Sequence, residues 1–298
     1  MNDWASRALE AIEKGEPAAL VSVLAIEGST PREAGARMLV TEQTSVGSIG
    51  GGNLEFQATL QARKSLAQPP GEWRIQDYPL GPFLQQCCGG RVRLLIERLE
   101  PGQADWIATA SMPGRHRLET VLAPGRLERC FVEATDIAPI GARGAIPAPG
   151  ERMLEVFGTP LTPLLLFGAG HVGRAIARIL EGLPFALAWH DEREGSERSE
   201  MARLAREARG VVLILTHDHG LDYDLTLAAL SSPAQFIGLI GSSTKRARFR
   251  KRLAGDGVEA AALDRIVCPV GLPGITGKAP EVIAVAVAAQ LLKIEFSV

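Results

Sequence analysis

Apolar positions recur at two spacings along this chain, and the spacing changes mark its elements. Trp4, Ala8, Leu9 and Ile12 fall at helical intervals and predict a short amphipathic opening helix. The run over 18–26 is unbroken Ala, Leu, Val and Ile save for Ser22, which suits a buried strand; it gives way to the loop-forming Gly28-Ser29-Thr30-Pro31-Arg32. A second strand is expected over 37–40. Gly47-Ser48-Ile49-Gly50-Gly51-Gly52-Asn53 then leads into a helix over 54–66, stopped by Pro69-Pro70. Val92, Leu94 and Ile96 alternate with Arg91, Arg93 and Leu95, the signature of a strand leaving the Cys87-Cys88-Gly89-Gly90 turn. Between 101 and 150 the pattern thins to short strand-like pieces at 118–122 and 130–133, and 141–150 reads as loop.

The second half is more regular. A strand over 164–167 runs into Gly168-Ala169-Gly170-His171-Val172-Gly173 and a helix. Further strands are expected over 185–189, 211–215, 235–240 and 266–268, separated by helices over 199–208, 223–230, 244–253 and from Pro280 onward. Strand and helix alternating at this interval predict an α/β unit with a doubly wound parallel sheet of the Rossmann-like kind, with strand order 3-2-1-4-5. The boundary is placed after a strand at 153–157, giving domains 1–158 and 159–298.

Composition narrows the function classes. Hydrophobic residues make up 46% and charged residues 22%, enough for packed cores. A net charge of -2 argues against a nucleic-acid binder that relies on a broad positive field. Four cysteines in 298 residues are too few for a disulfide scaffold, which favours a reducing, cytoplasmic setting. No stretch reaches the length of a membrane span; 282–292 reads instead as a buried helix. The basic stretch Lys245–Arg252 is expected to bury Phe249 and Leu253 and to present its charges to solvent, or to a partner or phosphate.

Candidate chemistry gathers in four places. Gly168, Gly170 and Gly173 fit G-x-G-x-x-G between a strand and a helix, the context in which backbone amides receive a pyrophosphate; the same glycines also serve if they only shape a tight turn. Asp191, ending the next strand, is placed to bond the ribose hydroxyls of a dinucleotide and to disfavour a 2′-phosphate. His217-Asp218-His219 follows the third strand, where it has the residue types to bind a metal, move a proton, face a ligand or cap the loop. In the first half, Gly50-Gly51-Gly52 with Glu55 either offers amides to an anion or merely permits positive φ. Gln85-Gln86-Cys87-Cys88-Gly89-Gly90 pairs two soft thiols, suited to molybdenum, zinc or copper and to sulfur handling, with glutamines able to bond a pterin ring. Cys130 and Cys268, on strand-like segments, are read as packing residues.

Several of these blocks, in this order, resemble those of the XdhC/CoxI family of xanthine dehydrogenase accessory proteins: Gly28-Ser29-Thr30-Pro31-Arg32 with 35–38, Gly47–Glu55, Gln86–Gly90, Phe167–Gly173, Thr216–His219, Gly238–Ser242, and Pro269–Leu272 with Gly277-Lys278. The resemblance implies a chaperone that holds molybdenum cofactor as molybdopterin while a cysteine desulfurase helps install its sulfido ligand, then passes it to xanthine dehydrogenase or a related molybdoenzyme. It also implies that Cys87 or Cys88 meets the metal and that the glycine loops hold the pterin phosphate; Gln86, Gly89, Gly168, Gly170, His171, Gly173, Asp191, His217 and His219 are the further candidate cofactor contacts, the second domain being expected to hold either a dinucleotide or the molybdenum cofactor itself. A homodimer is expected. An NAD(P)-dependent oxidoreductase acting on a small substrate, with His171, His217 or His219 as its acid or base, is the alternative; a structural adaptor is a third reading.

Overall fold

A computed structural model describes residues 3–81, 89–112, 114–294 and 296. The chain divides into two compact units, Met1–Thr159 and Pro160–Val298.

The first unit opens with helix α1 (Asp3–Glu13) and strands β1 (Ala18–Glu27), β2 (Arg37–Thr41) and β3 (Ser45–Gly47). Helix α2 (Gly52–Ser65) follows, then β4 (Trp73–Pro79), β5 (Arg91–Arg98) and helix α3 (Ala104–Ala110). Strands β1–β5 form an antiparallel sheet in the order β3-β2-β1-β5-β4. The apolar run of β1 is buried on both faces, as its lack of alternation requires. Ala19, Val21 and Val23 pack with Leu54, Ala58 and Ala62 of α2, whereas Leu20 packs with α1, Trp106 and Ile107. The stretch after 101, where periodicity thins, nonetheless folds. Strands β6 (His116–Ala123), β7 (Arg126–Phe131) and β8 (Arg152–Phe157) make a small antiparallel sheet in the order β7-β6-β8. Along β7 the inward positions are Leu127, Arg129 and Phe131, so Cys130 points outward and is exposed; the expectation that it packs is corrected by that alternation.

The second unit is a five-stranded parallel sheet with helices on both faces. Its strands are β9 (Thr162–Phe167), β10 (Phe185–His190), β11 (Val211–Ile214), β12 (Phe236–Leu239) and β13 (Ile266–Val267). One face carries helices α5 (Arg198–Glu207), α6 (His219–Leu230) and α7 (Ser243–Gly255). The other carries α4 (His171–Leu180) and α9 (Pro280–Leu292); a short α8 (Ala260–Leu263) precedes β13. The strand order is β10-β9-β11-β12-β13, that is 2-1-3-4-5, which corrects the expected 3-2-1-4-5. The third strand, Val-Val-Leu-Ile, is wholly buried and takes the place beside the first. The second strand leaves Ala186 and Ala188 exposed and sits at the edge. A sheet buries best when its continuous apolar strand is central. The order reverses between β9 and β11, the crevice where such sheets take ligands. In α9, Val285 and Leu292 remain exposed, so the helix is buried on one side only. Among the described residues no helix is long and apolar enough to cross a membrane.

Candidate functional site

In the first unit, all three glycines of the Gly50–Gly52 turn take positive φ, and a Cβ on Gly50 would come 2.3 Å from Pro31 Cγ. The turn is therefore wedged against the Gly28–Arg32 loop, and side chains are excluded there for steric reasons. Its amides already have an anion. Glu55 Oε1 accepts from Ile49 N (2.9 Å), Gly50 N (3.2 Å) and Ser48 Oγ (2.5 Å). Partial burial opposes the charge on Glu55, but the hydrogen bonds from Ser48 and the backbone outweigh it and hold its pKa below the ordinary value. The nest of amides is thus an internal clamp around Glu55.

Beside the clamp lies a cavity of about 600 Å³ lined by Trp4, Pro31–Arg37, Gly47, Ser48 and Phe157–Thr159. Gly35 and Gly47 fix its walls: a Cβ on Gly35 would fall 2.4 Å from Phe157 Cβ, and one on Gly47 would fall 2.5 Å from Arg37 O. Gly90 donates its amide to Ser29 O (3.2 Å) and Leu80 N donates to Gly90 O (2.9 Å), so the chain ahead of β5 is stitched to the Gly28–Thr30 loop. Among the described residues nothing lies within 4 Å of a Cβ built on Gly89. Gln86, Cys87 and Cys88 lie outside the described residues.

Behind the cavity is a feature that hydropathy hides. Arg37, Glu97, Arg129 and Glu155 have at most 4% of their side chains exposed, and they alternate in charge. Arg129 gives two parallel bonds to Glu97 (2.8 and 2.7 Å) and contacts Glu155 at 3.4 Å. Arg37 donates to Glu155 (2.9 Å) and Ser22 (3.2 Å) and lies 3.8 Å from the Phe157 ring centroid. Gln103 and Thr120 donate to the carboxylates. Four charges paired and bonded in this way are tolerable inside a protein, because each desolvated ion keeps an opposite partner.

In the second unit, the loops leaving β9 and β11 meet at the switch point. A Cβ on Gly168 would be 2.3 Å from Leu215 O, and one on Gly173 would be 2.1 Å from Gly168 O. Gly170 differs: its φ is -70°, and nothing lies within 4 Å of a Cβ there. Helix α4 begins at this point without a side-chain cap. A hollow of about 350 Å³ opens over it, lined by Ala169, Gly170, His171, Arg174, Arg193 and Glu194.

Asp191 sits beneath this hollow, buried, as a clamp. Its carboxylate accepts from Ala169 N, Arg193 N (2.8 Å), Arg193 Nε (3.2 Å) and Arg193 Nη2 (3.1 Å), which uses its full acceptor capacity. A ribose hydroxyl reaches it only by displacing Arg193. Burial disfavours the charge, but bonds from Arg193 and from the Ala169 amide prevail and bring the pKa down to about 2. A depressed carboxylate pKa stabilises the fold above the unfolded value of 3.8, and that stabilisation is lost as pH falls through about 2. Asp191→Asn should accordingly cost the second unit on the order of 1–2 kcal/mol at pH 7. It should also flatten the loss of stability between pH 4 and 2, read from urea midpoints; an unchanged acid profile would contradict the clamp.

His171, His217 and His219 are exposed, and of the three His171 lines the hollow. Asp218 caps α6 through the amides of Gly220 and Leu221 and bonds Arg198, so the cap reading of the His217-Asp218-His219 loop describes its aspartate. Among the described residues no three His, Cys, Asp or Glu side chains are grouped to hold a metal ion. Beside this loop the sequence reading missed a pair. Asp222, fully buried, accepts from Lys245 Nζ (2.5 Å), Thr216 N (2.9 Å) and Thr216 Oγ1 (2.8 Å), and Lys245 also donates to Ile240 O (3.0 Å). The basic helix thus turns its first lysine inward to lock the β11 and β12 loops together, while Phe249 and Leu253 are buried as expected.

Comparison with known proteins places both units. Residues 164–291 match the model described as the XdhC Rossmann domain, and residues 11–79 match that of the XdhC and CoxI family. The uncharacterized protein YqeB of Escherichia coli (strain K12) is 23% identical over 300 residues, covering 95% of this chain. The chain spans only 44% of that relative's length. A crystal structure of a xanthine dehydrogenase from Bacillus halodurans shares the fold, with a TM-score of 0.68, 21% identity, and coverage of 96% of this chain and 95% of that one.

Proposed function

The chain belongs to the XdhC and CoxI family, its first unit an XdhC/CoxI-type domain and its second a Rossmann-like one, and from that membership we propose that it serves the maturation of a molybdenum hydroxylase. In this reading molybdopterin-bound molybdenum is cargo. The first unit holds it, a cysteine desulfurase contributes the terminal sulfur, and the loaded protein hands it to xanthine dehydrogenase or a relative. The accessory protein needs no turnover of its own. The observation that carries this is the presence, in one chain and in order, of both family blocks, with a polar, glycine-walled cavity inside the first. Cys87 or Cys88 is proposed to meet the molybdenum, since a thiolate is the softest ligand this chain offers.

The second unit is proposed to hold a phosphate-bearing nucleotide over the α4 N-terminus. Gly170 supports this: among the described residues no neighbour requires its missing side chain, whereas a pyrophosphate approaching the backbone would. The oxidoreductase alternative would draw its acid or base from His171, His217 or His219, and a nucleotide bound without turnover of any small alcohol or acid would count against it.

The experiment is anaerobic purification followed by iodine oxidation and pterin fluorescence, then activation of cofactor-free xanthine dehydrogenase. The parent protein should carry pterin and restore activity. Cys87→Ala or Cys88→Ala should lower activation by roughly tenfold or more, as expected for the loss of a metal-facing ligand. Equal transfer by both variants would remove the cysteines from the site, and a pterin-free parent would end the chaperone reading.

A further inference from the structure

We propose that the cavity of the first unit is an oxyanion seat, with Arg37 as its floor and Arg32 at its rim, and that it takes the phosphate monoester end of the cargo. The identity of the ligand rests on the cofactor reading above; its charge and the place where it binds do not.

The argument begins with an unpaired donor. Arg37 is 4% exposed. Its Nε and Nη2 are spent on Ser22 and Glu155, while Nη1 has no hydrogen-bond partner among the described residues. Nη1 is also absent from the unpaired side-chain atoms that are sealed from solvent, such as those of Arg74. The side chain is 1% exposed and Arg37 lines the cavity, so Nη1, its one unspent nitrogen, is taken as the donor that faces it. A guanidinium edge left unmet in a largely desolvated setting is costly, so an acceptor belongs there. Water can fill that place, but the surroundings favour an anion.

Arg32, on the exposed Gly28–Arg32 loop, lines the same cavity; its carbonyl accepts from Thr30 Oγ1 (3.1 Å), and its guanidinium has no ion-pair or hydrogen-bond partner among the described residues. Glu33, also on the rim, is the one acidic side chain in the lining. Two guanidiniums, one buried and held, the other exposed, suit the fork-like recognition of phosphate oxygens. The floor is preorganised: Arg37 is held by Ser22 and Glu155 and lies against Phe157 at 3.8 Å and Trp4 at 5.4 Å. Its other charge partners are balanced, since Glu97 and Arg129 pair with one another. The glycine turn next door, the obvious anion nest in the sequence, is filled by Glu55. The seat lies one loop away, joined to that clamp through Ser48, which lines the cavity and donates to Glu55.

The test reads the cavity locally. The four tryptophans are replaced by 5-fluorotryptophan, and the Trp4 resonance is assigned with Trp4→Phe. The full chain is then titrated with inorganic phosphate and phenyl phosphate at constant ionic strength. Trp4 should shift saturably, and Arg32→Gln, an exposed change that leaves the core intact, should raise the apparent Kd roughly tenfold, the effect of one charge-assisted bond. Arg32→Lys should recover part of the affinity. Pterin retained after anaerobic purification should fall with Arg32→Gln in parallel. A Trp4 resonance that does not move, or an Arg32→Gln titration that matches the parent, overturns the seat whatever the protein does with cofactor. If Trp4 responds but the protein never retains pterin, the seat stands and the cofactor cargo falls. If Arg32→Gln weakens phosphate binding while pterin retention is unchanged, assignment of the seat to the cargo is overturned.

Discussion

Glu97→Ala should destabilise the first unit by about 3–5 kcal/mol, because it strands a buried arginine. Glu97 has no exposed surface and accepts both terminal nitrogens of Arg129 together with the Gln103 amide. With it removed, Arg129 keeps only the 3.4 Å contact to Glu155, and Glu155 must then serve two cations. The ring of Trp106, 4.3 Å from the Arg129 guanidinium, offsets only a fraction of the lost carboxylate. The informative comparison is the double variant Glu97→Leu with Arg129→Met, which removes both charges. An isolated buried pair replaced by apolar groups of similar size is close to neutral, so the double variant should be more stable than either single one. Urea midpoints of the four proteins measure the coupling. Additive single effects, or a Glu97→Ala loss below about 1 kcal/mol, would mean that the four charges do not act as a unit.

The same network shows why part of this molecule was illegible in its sequence. Hydropathy assigns Arg, Glu and Asp to the surface, and the alternation along β5 accordingly reads Arg93 as outward. In the fold its side chain is 1% exposed, bonded to Asp77 and to the carbonyls of Gly144 and Ala145, so it ties down the loop that follows β7. Arg37 and Glu155 are 118 positions apart, and no local pattern announces a partner at that distance. The one available signal was Ser22, a polar residue inside an otherwise apolar strand, and it marks the point where Arg37 enters the core. The strands of the second unit, by contrast, are short apolar runs between turn residues, and their existence is encoded locally. Their neighbours are not: the order 2-1-3-4-5 depends on which crossover covers which face. The contrast between a fully apolar third strand and a second strand carrying exposed alanines was the only hint of it.

Candidate residues were found more readily than their roles. The sequence offers Asp191 to a ligand because it ends a strand, and Glu55 because it lies one turn into the helix after a glycine turn. Each instead turns its oxygens on the backbone amides of its own turn. The two units thus use the same device, an acidic side chain that fixes a glycine loop from inside, and the space each loop leaves open lies on its other side. For the first unit that space is the Arg37 cavity; for the second it is the hollow above Gly170.

The three glycines of the second unit should separate under substitution. Gly168→Ala must accommodate a φ of 121° and a Cβ 2.3 Å from Leu215 O, and Gly173→Ala a Cβ 2.1 Å from Gly168 O. Both intruded atoms are backbone, so relief requires parting β9 from β11 or lifting α4, at a cost on the order of 3 kcal/mol. Gly170→Ser meets neither obstacle. Its φ of -70° suits any residue, the space around it is empty, and a serine at this N-terminal position would cap a helix that now lacks a side-chain cap. The variant should therefore be as stable as the parent or a few tenths of a kcal/mol more so. Yet a hydroxymethyl group there occupies the approach that a pyrophosphate needs, and affinity for NADH and NADPH should drop at least roughly tenfold. Energy transfer from protein tryptophan to bound dinucleotide measures this, and Arg193→Gln in parallel reports whether a 2′-phosphate is read at the mouth of the hollow. Parent-like dinucleotide binding by Gly170→Ser would show that the glycines only shape the turn, whereas retained stability with lost binding ties the middle glycine to a ligand.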